Sequence, residues 1–465
     1  MTACSVPTVQ PCLLPLLHPV RQCLHPFLRS EDAVRLMQAS RSTASLLADY
    51  ALVDRAFFVH HSHTTADVKR SLAFYARHHM RITRMCLPAD WTEPLVDGAT
   101  GLPLLPSSLV ALSLGADSVL DDHHIDRCSV VHAPFDGTDE RWSGEEELAE
   151  GGERERQLER RLQDWEQDSV SDWYDTVWSV FEYGSRRGAF NRQIAPDALP
   201  HGLRYCELNW DFNQPLQVGS IPDTVEVLQL GRDFNQPLEA GHLPASLTHL
   251  VLGRDYNHPL LPGVLPSSLR RLHLGGSYNH PFQPGVLPPQ LRGLFLGWAF
   301  AQPILPGAIP SSVTHLQLSN SFNLPLQPGS IPHGVQHLNL GFNFDHPLLP
   351  GILPTSLREL VISREFNQPL QPGSLPDGLE LLAFHPQSTW PLLVHLLQPG
   401  ILPASVRAVS LSEEYQQDFV AGGIPATVQW LRLHPRWRIQ RDAFGDSVDL
   451  RGVLSPSTRL VWWKY

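Results

Sequence analysis

Positive charge is scarce in this 465-residue chain, where 35 lysines and arginines face 47 acidic residues for a net charge of −12. A general nucleic-acid binder needs a basic stripe along its contact surface, so that class is set aside. Cysteine is scarce too: Cys4, Cys12, Cys23, Cys86, Cys128 and Cys206 are scattered with no C-x-x-C spacing. Such a set fits reduced thiols inside a cell better than a disulfide frame. No apolar run nears the roughly 20 residues that cross a bilayer, and no basic region precedes an apolar run at the start of the chain. Neither a membrane nor a secretory route is expected, which leaves cytoplasm or nucleus as the compartment. Catalytic signatures are missing as well: there is no Gly-x-Ser-x-Gly, P-loop or dinucleotide fingerprint. The densest histidine groups, His60-His61-His63, His78-His79 and His123-His124 with Cys128, lack further ligands at a zinc spacing. No enzyme, metal or cofactor is therefore expected; a metal-dependent hydrolase using these histidines is the enzyme-class alternative.

What the chain has in abundance is a period. An aromatic ring falls at Phe190, Phe212, Phe234, Tyr256, Tyr278, Phe300, Phe322, Phe344 and Phe366, each 22 residues from the next. A period in the twenties marks a stacked solenoid and is too short for a propeller blade. Within each unit the aliphatic residues fall as in Leu247, Leu250 and Leu252, and the x-Leu-x-Leu part reads as a short strand with its leucines on one face. Two prolines per unit, such as Pro237 and Pro244, keep the remainder out of a central strand. Pro-Gly at 262–263, 284–285, 328–329 and 372–373 suits a type II turn. Ordering one unit costs more free energy than burying its apolar side chains returns, so units must stack. Stacking predicts an inner column of rings and a ladder from Asn213, Asn235, Asn257, Asn279, Asn323 and Asn367 to neighbouring backbone. His258, His280 and His346 occupy the glutamine slot before proline and read as template substitutions. The fold class is mainly β, a solenoid of 22-residue coils.

Phe212-Asn213-Gln214-Pro215-Leu216, Phe234-Asn235-Gln236-Pro237-Leu238 and Phe366-Asn367-Gln368-Pro369-Leu370 resemble the FNIP repeat, a relative of leucine-rich repeats. The resemblance covers roughly residues 190–433. It implies a leucine-rich-repeat-like horseshoe or rod that binds proteins, and it implies no catalysis.

The flanks have another texture. Residues 1–60 suggest a small helical domain, with Ser30 capping a helix whose first turn holds Glu31 and Asp32. Leu14-Pro15, Cys23-Leu24, Phe27-Leu28, Asp32, Leu36, Ser40-Arg41, Leu46-Leu47 and Asp49 resemble an F-box, although the family's tryptophan after Ser-Arg is missing and Pro19 and Pro26 interrupt the helices. That resemblance implies a Skp-type linker held by Pro15, Leu24, Phe27, Leu28 and Leu36. The other reading is a helical cap over the first coil. Residues 61–115 read as a helical linker and a divergent repeat, in which the 12-residue gap from Pro94 to Pro106, also found from Pro391 to Pro403, replaces the usual 7. Both coils should carry five extra residues. Residues 116–176 are an acidic insertion, helical or disordered, with Trp142, Trp165, Trp173 and Tyr174 able to anchor a partner or pack back on the solenoid. The solenoid spans 177–440, and 441–465 is a cap ending in the strand-like Leu460-Val461-Trp462-Trp463.

Function is expected on a surface. If the strand leucines point inward, the residues between them form two outward columns. One reads Tyr205, Val227, His249, Arg271, Gly293, His315, His337, Glu359; the other reads Glu207, Gln229, Val251, His273, Phe295, Gln317, Asn339, Val361. Tyr205, His249, Arg271, His273, Phe295, His315, Gln317, His337 and Asn339 are the expected partner-binding residues, with binding sensitive to pH between 5 and 8 through the histidines. Three readings result: an adaptor that presents protein targets to a cullin-type ubiquitin ligase, a solenoid scaffold unconnected to ubiquitin, and the hydrolase.

Overall fold

The computed structural model describes residues 190–385 continuously, together with 56–58, 84–87, 95, 105–107, 109, 111–114, 398–412, 415, 419–433 and 454–462. Its strands are Ala56–Phe58 (β1), Arg84–Leu87 (β2), Ala111–Leu114 (β3), Tyr205–Glu207 (β4), Val227–Gln229 (β5), His249–Val251 (β6), Arg271–His273 (β7) and Gly293–Phe295 (β8). They continue with His315–Gln317 (β9), His337–Asn339 (β10), Glu359–Ile362 (β11), Leu381–Phe384 (β12), Ala408–Ser410 (β13), Trp430–Leu433 (β14) and Arg459–Trp462 (β15). All fifteen form one parallel sheet in sequence order. No helix occurs among the described residues.

The period sets the register. Tyr205 pairs with Val227, Val227 with His249 and His249 with Arg271, so each step of 22 residues brings like positions together. Where the prolines predict five extra residues the step is 27, from Arg84 to Ala111 and from Leu381 to Ala408, and the sheet passes through unbroken. β3 pairs directly with β4, Ala111 against Tyr205, although the whole acidic insertion lies between them in sequence. That insertion, the F-box-like residues Pro15, Leu24, Phe27, Leu28 and Leu36, and the histidine groups before residue 130 lie outside the described residues. Part of the expected helical segment needs correction: β1 pairs with β2 in parallel, so Ala56–Phe58 belong to the sheet and the solenoid begins before residue 60. At the other end β15 pairs with β14, as the terminal strand pattern predicts.

The core is a set of columns running along the stack. Leu228, Leu250, Leu272, Leu294 and Leu316 are buried under the sheet. Behind them the rings from Phe190 to Phe366 lie nearly parallel, with centroids 6.1 to 6.4 Å apart. The asparagine ladder forms as expected: Asn213, Asn235 and Asn257 each accept the backbone N–H of the residue 22 positions on, at 3.0 to 3.1 Å. The Ala301 N–H donates to Asn279 Oδ1 in the same way, but Ala301 has no side-chain oxygen to accept from the next coil; Asn323 and Asp345 resume the ladder. The histidines in the glutamine slot serve the template, since His258 and His280 donate Nε2–H to the carbonyls of Asn235 and Asn257.

Two turns close each coil. Val264 N–H bonds the Leu261 carbonyl across Pro262-Gly263, where the glycine takes the positive φ of 85° that a type II turn demands. Leu269 N–H then bonds the Pro266 carbonyl, and this second turn is pinned by a hydroxyl column the pattern reading missed. Ser246, Ser268, Ser312 and Ser356 each donate to a carbonyl in the preceding coil at 2.7 Å.

Candidate strand-face interface

In a stack of near-identical coils, the step between equivalent atoms grows with distance from the centre of curvature. The rings are 6.1 to 6.4 Å apart, whereas neighbouring strands of any sheet lie about 4.8 Å apart. On the outer side of the strands, the like pair His315 and His337 stacks at 4.2 Å. The step shrinks steadily from ring column to strand face, so the strand face is concave. Concavity gathers side chains from successive coils toward one another, which suits the gripping of a partner.

The pairing aligns the two outward columns, yet their side chains are not free spokes. Tyr205, His249, Arg271, His315 and His337 are half-buried in the first column, and His273 and Phe295 in the second. Gln317 and Asn339 are withdrawn from the candidate surface: they are only 4% and 3% exposed, and the Asn339 Oδ1 accepts the N–H of Gly341. Elsewhere the face binds itself together. Tyr205 Oη donates to Glu207 at 3.4 Å, His337 Nδ1 lies 2.8 Å from a Glu359 carboxylate oxygen, and His249 Nδ1 shares a hydrogen bond with Thr248 Oγ1 at 2.8 Å.

Burial, reinforced by the charge of Arg271, pushes the His249 imidazole down to about 4 and that of His273 to about 3. Both are neutral throughout the window from pH 5 to 8, so the expected pH response loses two of its four histidines.

Several exposed residues around the face escape a reading of strand alternation. Arg270 and Arg292, each one residue before a strand, are exposed. Trp298 is 52% exposed just past β8. Its column, two residues before each ring anchor, also holds Trp210, under the Arg232 guanidinium at 5.2 Å, and Phe342, under that of Arg364 at 4.7 Å. Aligning the coils on their rings exposes this column directly in the sequence: Trp210, Arg232, Arg254, Gly276, Trp298, Asn320, Phe342 and Arg364. Among the described residues no group of three or more histidine, cysteine or acidic side chains is placed to hold a metal. No helix there is long and apolar enough to cross a membrane.

One parallel strand per 22-residue coil, an inner ring column and a variable concave face define a leucine-rich-repeat-like β-solenoid, an architecture suited to protein interaction. More particularly, residues 190–386 are a tandem array of FNIP repeats: the family described as FNIP Repeat matches residues 190–233, 234–275, 256–298, 300–343 and 344–386. Among solved structures the chain is similar to CroV588, described as a novel circular LRR protein, at 21% sequence identity and a TM-score of 0.44. The likeness covers 76% of this chain and 50% of that one, so this chain spans about half the length of CroV588. No curated protein matches the chain.

Proposed function

We propose that this protein is an interaction scaffold that grips a protein partner on the concave strand face between β4 and β11. The observation that carries the reading is the contrast between columns. The inward leucines and rings repeat coil after coil, while the outward positions change from tyrosine to histidine, arginine and phenylalanine in the same register. A framework that repeats while its accessible face varies is what a specific surface requires, and arginine and aromatic residues are the commonest anchors of protein interfaces. Eight coils at about 4.8 Å spread over roughly 34 Å, enough for a folded domain or an extended peptide. The test is the joint change Arg271→Ala, Phe295→Ala, His315→Ala and His337→Ala in protein whose circular dichroism and melting curve match the parent. Loss of the parent's partners is expected; recovery of every partner in equal yield removes the strand face from consideration.

The finer reading is a substrate adaptor of a cullin-type ubiquitin ligase, the solenoid holding the target and the N-terminal segment holding a Skp-type linker. Its support is the F-box-like series Pro15, Leu24, Phe27, Leu28 and Leu36 followed by a solenoid. Co-purification of the full chain with a Skp-type linker, abolished by Leu24→Asp with Phe27→Asp, is the expected outcome. If the linker does not associate with the parent chain, the scaffold stands without ubiquitin.

A further inference from the structure

The column immediately before the strands reads Arg204, Glu226, Thr248, Arg270, Arg292, Thr314, Gln336, Arg358 and Glu380. Near both of its ends an arginine is neutralised by the next coil: Arg204 meets Glu226 at 2.6 Å and Arg358 meets Glu380 at 3.5 Å. The middle breaks that rule. Arg270 and Arg292 stand one coil apart, like charge beside like charge, and the coils on either side offer only Thr248 and Thr314. Neither guanidinium has an ion pair among the described residues. Like charges in facing positions of a sheet destabilise it, and the same column shows that this fold can place a glutamate where an arginine needs one.

More positive charge gathers at this point. Arg271 sits on β7 beside Arg270, whereas the exposed Arg254 lies past the other end of β6, in the column of Trp298, with Asp255 next to it in sequence. Apolar surface adjoins Arg271 in the Phe295 ring, stacked on His273 at 4.0 Å, and continues past the far end of β8 with the exposed Trp298. The concentration is local, in a chain whose net charge is −12.

We infer that Arg270, Arg271 and Arg292, with Phe295 beside Arg271 and Trp298 past the far end of β8, are the seat for an acidic peptide segment of a second protein, one that presents carboxylates alternating with apolar or aromatic side chains. Carboxylates accept paired hydrogen bonds from the guanidinium fork, and their charge removes the repulsion between Arg270 and Arg292. An extended segment lying across β7 and β8 places alternate side chains toward the arginines and toward the aromatic pair. This assignment rests on the strand-face reading and names the chemistry of its partner.

The probe is a fluorescein-labelled decapeptide of alternating glutamate and phenylalanine, titrated with the full chain and followed by fluorescence anisotropy. A lysine–phenylalanine decapeptide is the charge control. Arg270→Gln with Arg292→Gln is expected to weaken the glutamate peptide at least tenfold. Arg204→Gln with Arg358→Gln changes the net charge of the protein equally, in the same column, and is expected to alter affinity less than twofold. Affinity for the glutamate peptide falls as salt is raised, and the lysine peptide does not bind. Equal losses in the two pairs, or equal binding of both peptides, overturn the seat. Tighter binding of a synthetic peptide of residues 139–150 than of the decapeptide overturns the assignment to a second protein and gives the seat to the chain's own acidic segment. If the glutamate peptide fails to bind while the four-residue variant above still loses its partners, the strand-face reading survives and the acidic partner falls. If that variant keeps every partner, the strand-face reading itself has failed.

Discussion

Tyr278 shows how much a single side chain carries when every position is repeated. Its ring is fully buried, lies 6.3 Å from that of Tyr256 and 6.4 Å from that of Phe300, and also packs against Phe282. Tyr278→Ala opens a cavity inside a continuous column and is expected to cost about 3–5 kcal/mol, read as a lowered denaturation midpoint. An unchanged midpoint is incompatible with a packed ring column. Tyr278→Phe keeps the ring and loses only the hydroxyl beside the Leu260 backbone, so its cost should stay near 1 kcal/mol. The histidines of the strand face make a second prediction. Folding lowers the His249 and His273 values from 6.5 to about 4 and about 3, so the folded state holds them neutral where the unfolded chain takes up protons. Their contribution to stability is complete above about pH 6.5 and is lost as the pH falls toward these folded values. Unfolding midpoints measured from pH 7.5 to 4.5 should therefore decline, and His249→Gln with His273→Gln should flatten that decline. A decline of the same slope in the variant would place its origin elsewhere.

A single coil makes two demands on glycine that differ in kind. Gly263 occupies the positive-φ corner of its turn and a side chain there meets nothing, so Gly263→Ala incurs only backbone strain, about 1 kcal/mol. Gly253 has an ordinary φ, but a Cβ there collides with the Gly231 carbonyl oxygen of the previous coil, so Gly253→Ala must push two coils apart and cost roughly 3 kcal/mol. The two melting curves, compared side by side, should fall in that order; the reverse order would mean that turn strain outweighs coil contact. Features of this kind were legible in the sequence wherever a local rule met the period. The ring column, the asparagine ladder, the Pro-Gly turns and the two coils with five extra residues all follow from residue type at fixed spacing. What escaped was set by neighbours outside the unit. Ser246 and Ser268 look like ordinary turn serines until the preceding coil supplies their acceptor carbonyls. Gln317 and Asn339 point outward by alternation yet are buried, Asn339 through a bond from the Gly341 N–H that the period does not reveal. Arg270 and Arg292 fell outside the strands and so outside both columns, although their 22-residue spacing places them in one further column with Arg204 and Arg358.

At the scale of the whole chain, charge and fold are separated. Residues 116–176 contain 19 acidic and 6 basic side chains, a net −13, so the rest of the chain sums to +1 against the total of −12. The solenoid and its flanks are thus close to neutral, and a local set of arginines on them is not drowned by surrounding acid. The regularity of the array makes a test of its own. Removing residues 278–299, one full period, joins equivalent positions and should leave a cooperative fold of somewhat lower stability. Removing residues 278–288, half a period, turns every later coil out of step and should abolish cooperative melting. Similar curves for the two deletions would contradict a stack held in register by its period. The wedge shape of the coils carries this further. Because each unit has the same taper, the radius of the arc is a property of one coil and its length a property of copy number. At the level of the gene, tandem near-identical units invite unequal crossing-over, and a product that gains or loses a whole unit inherits the same curvature. Recombination can therefore lengthen or shorten the grip without having to reinvent its shape, while point mutation, confined to the outward columns, is left free to alter what is gripped.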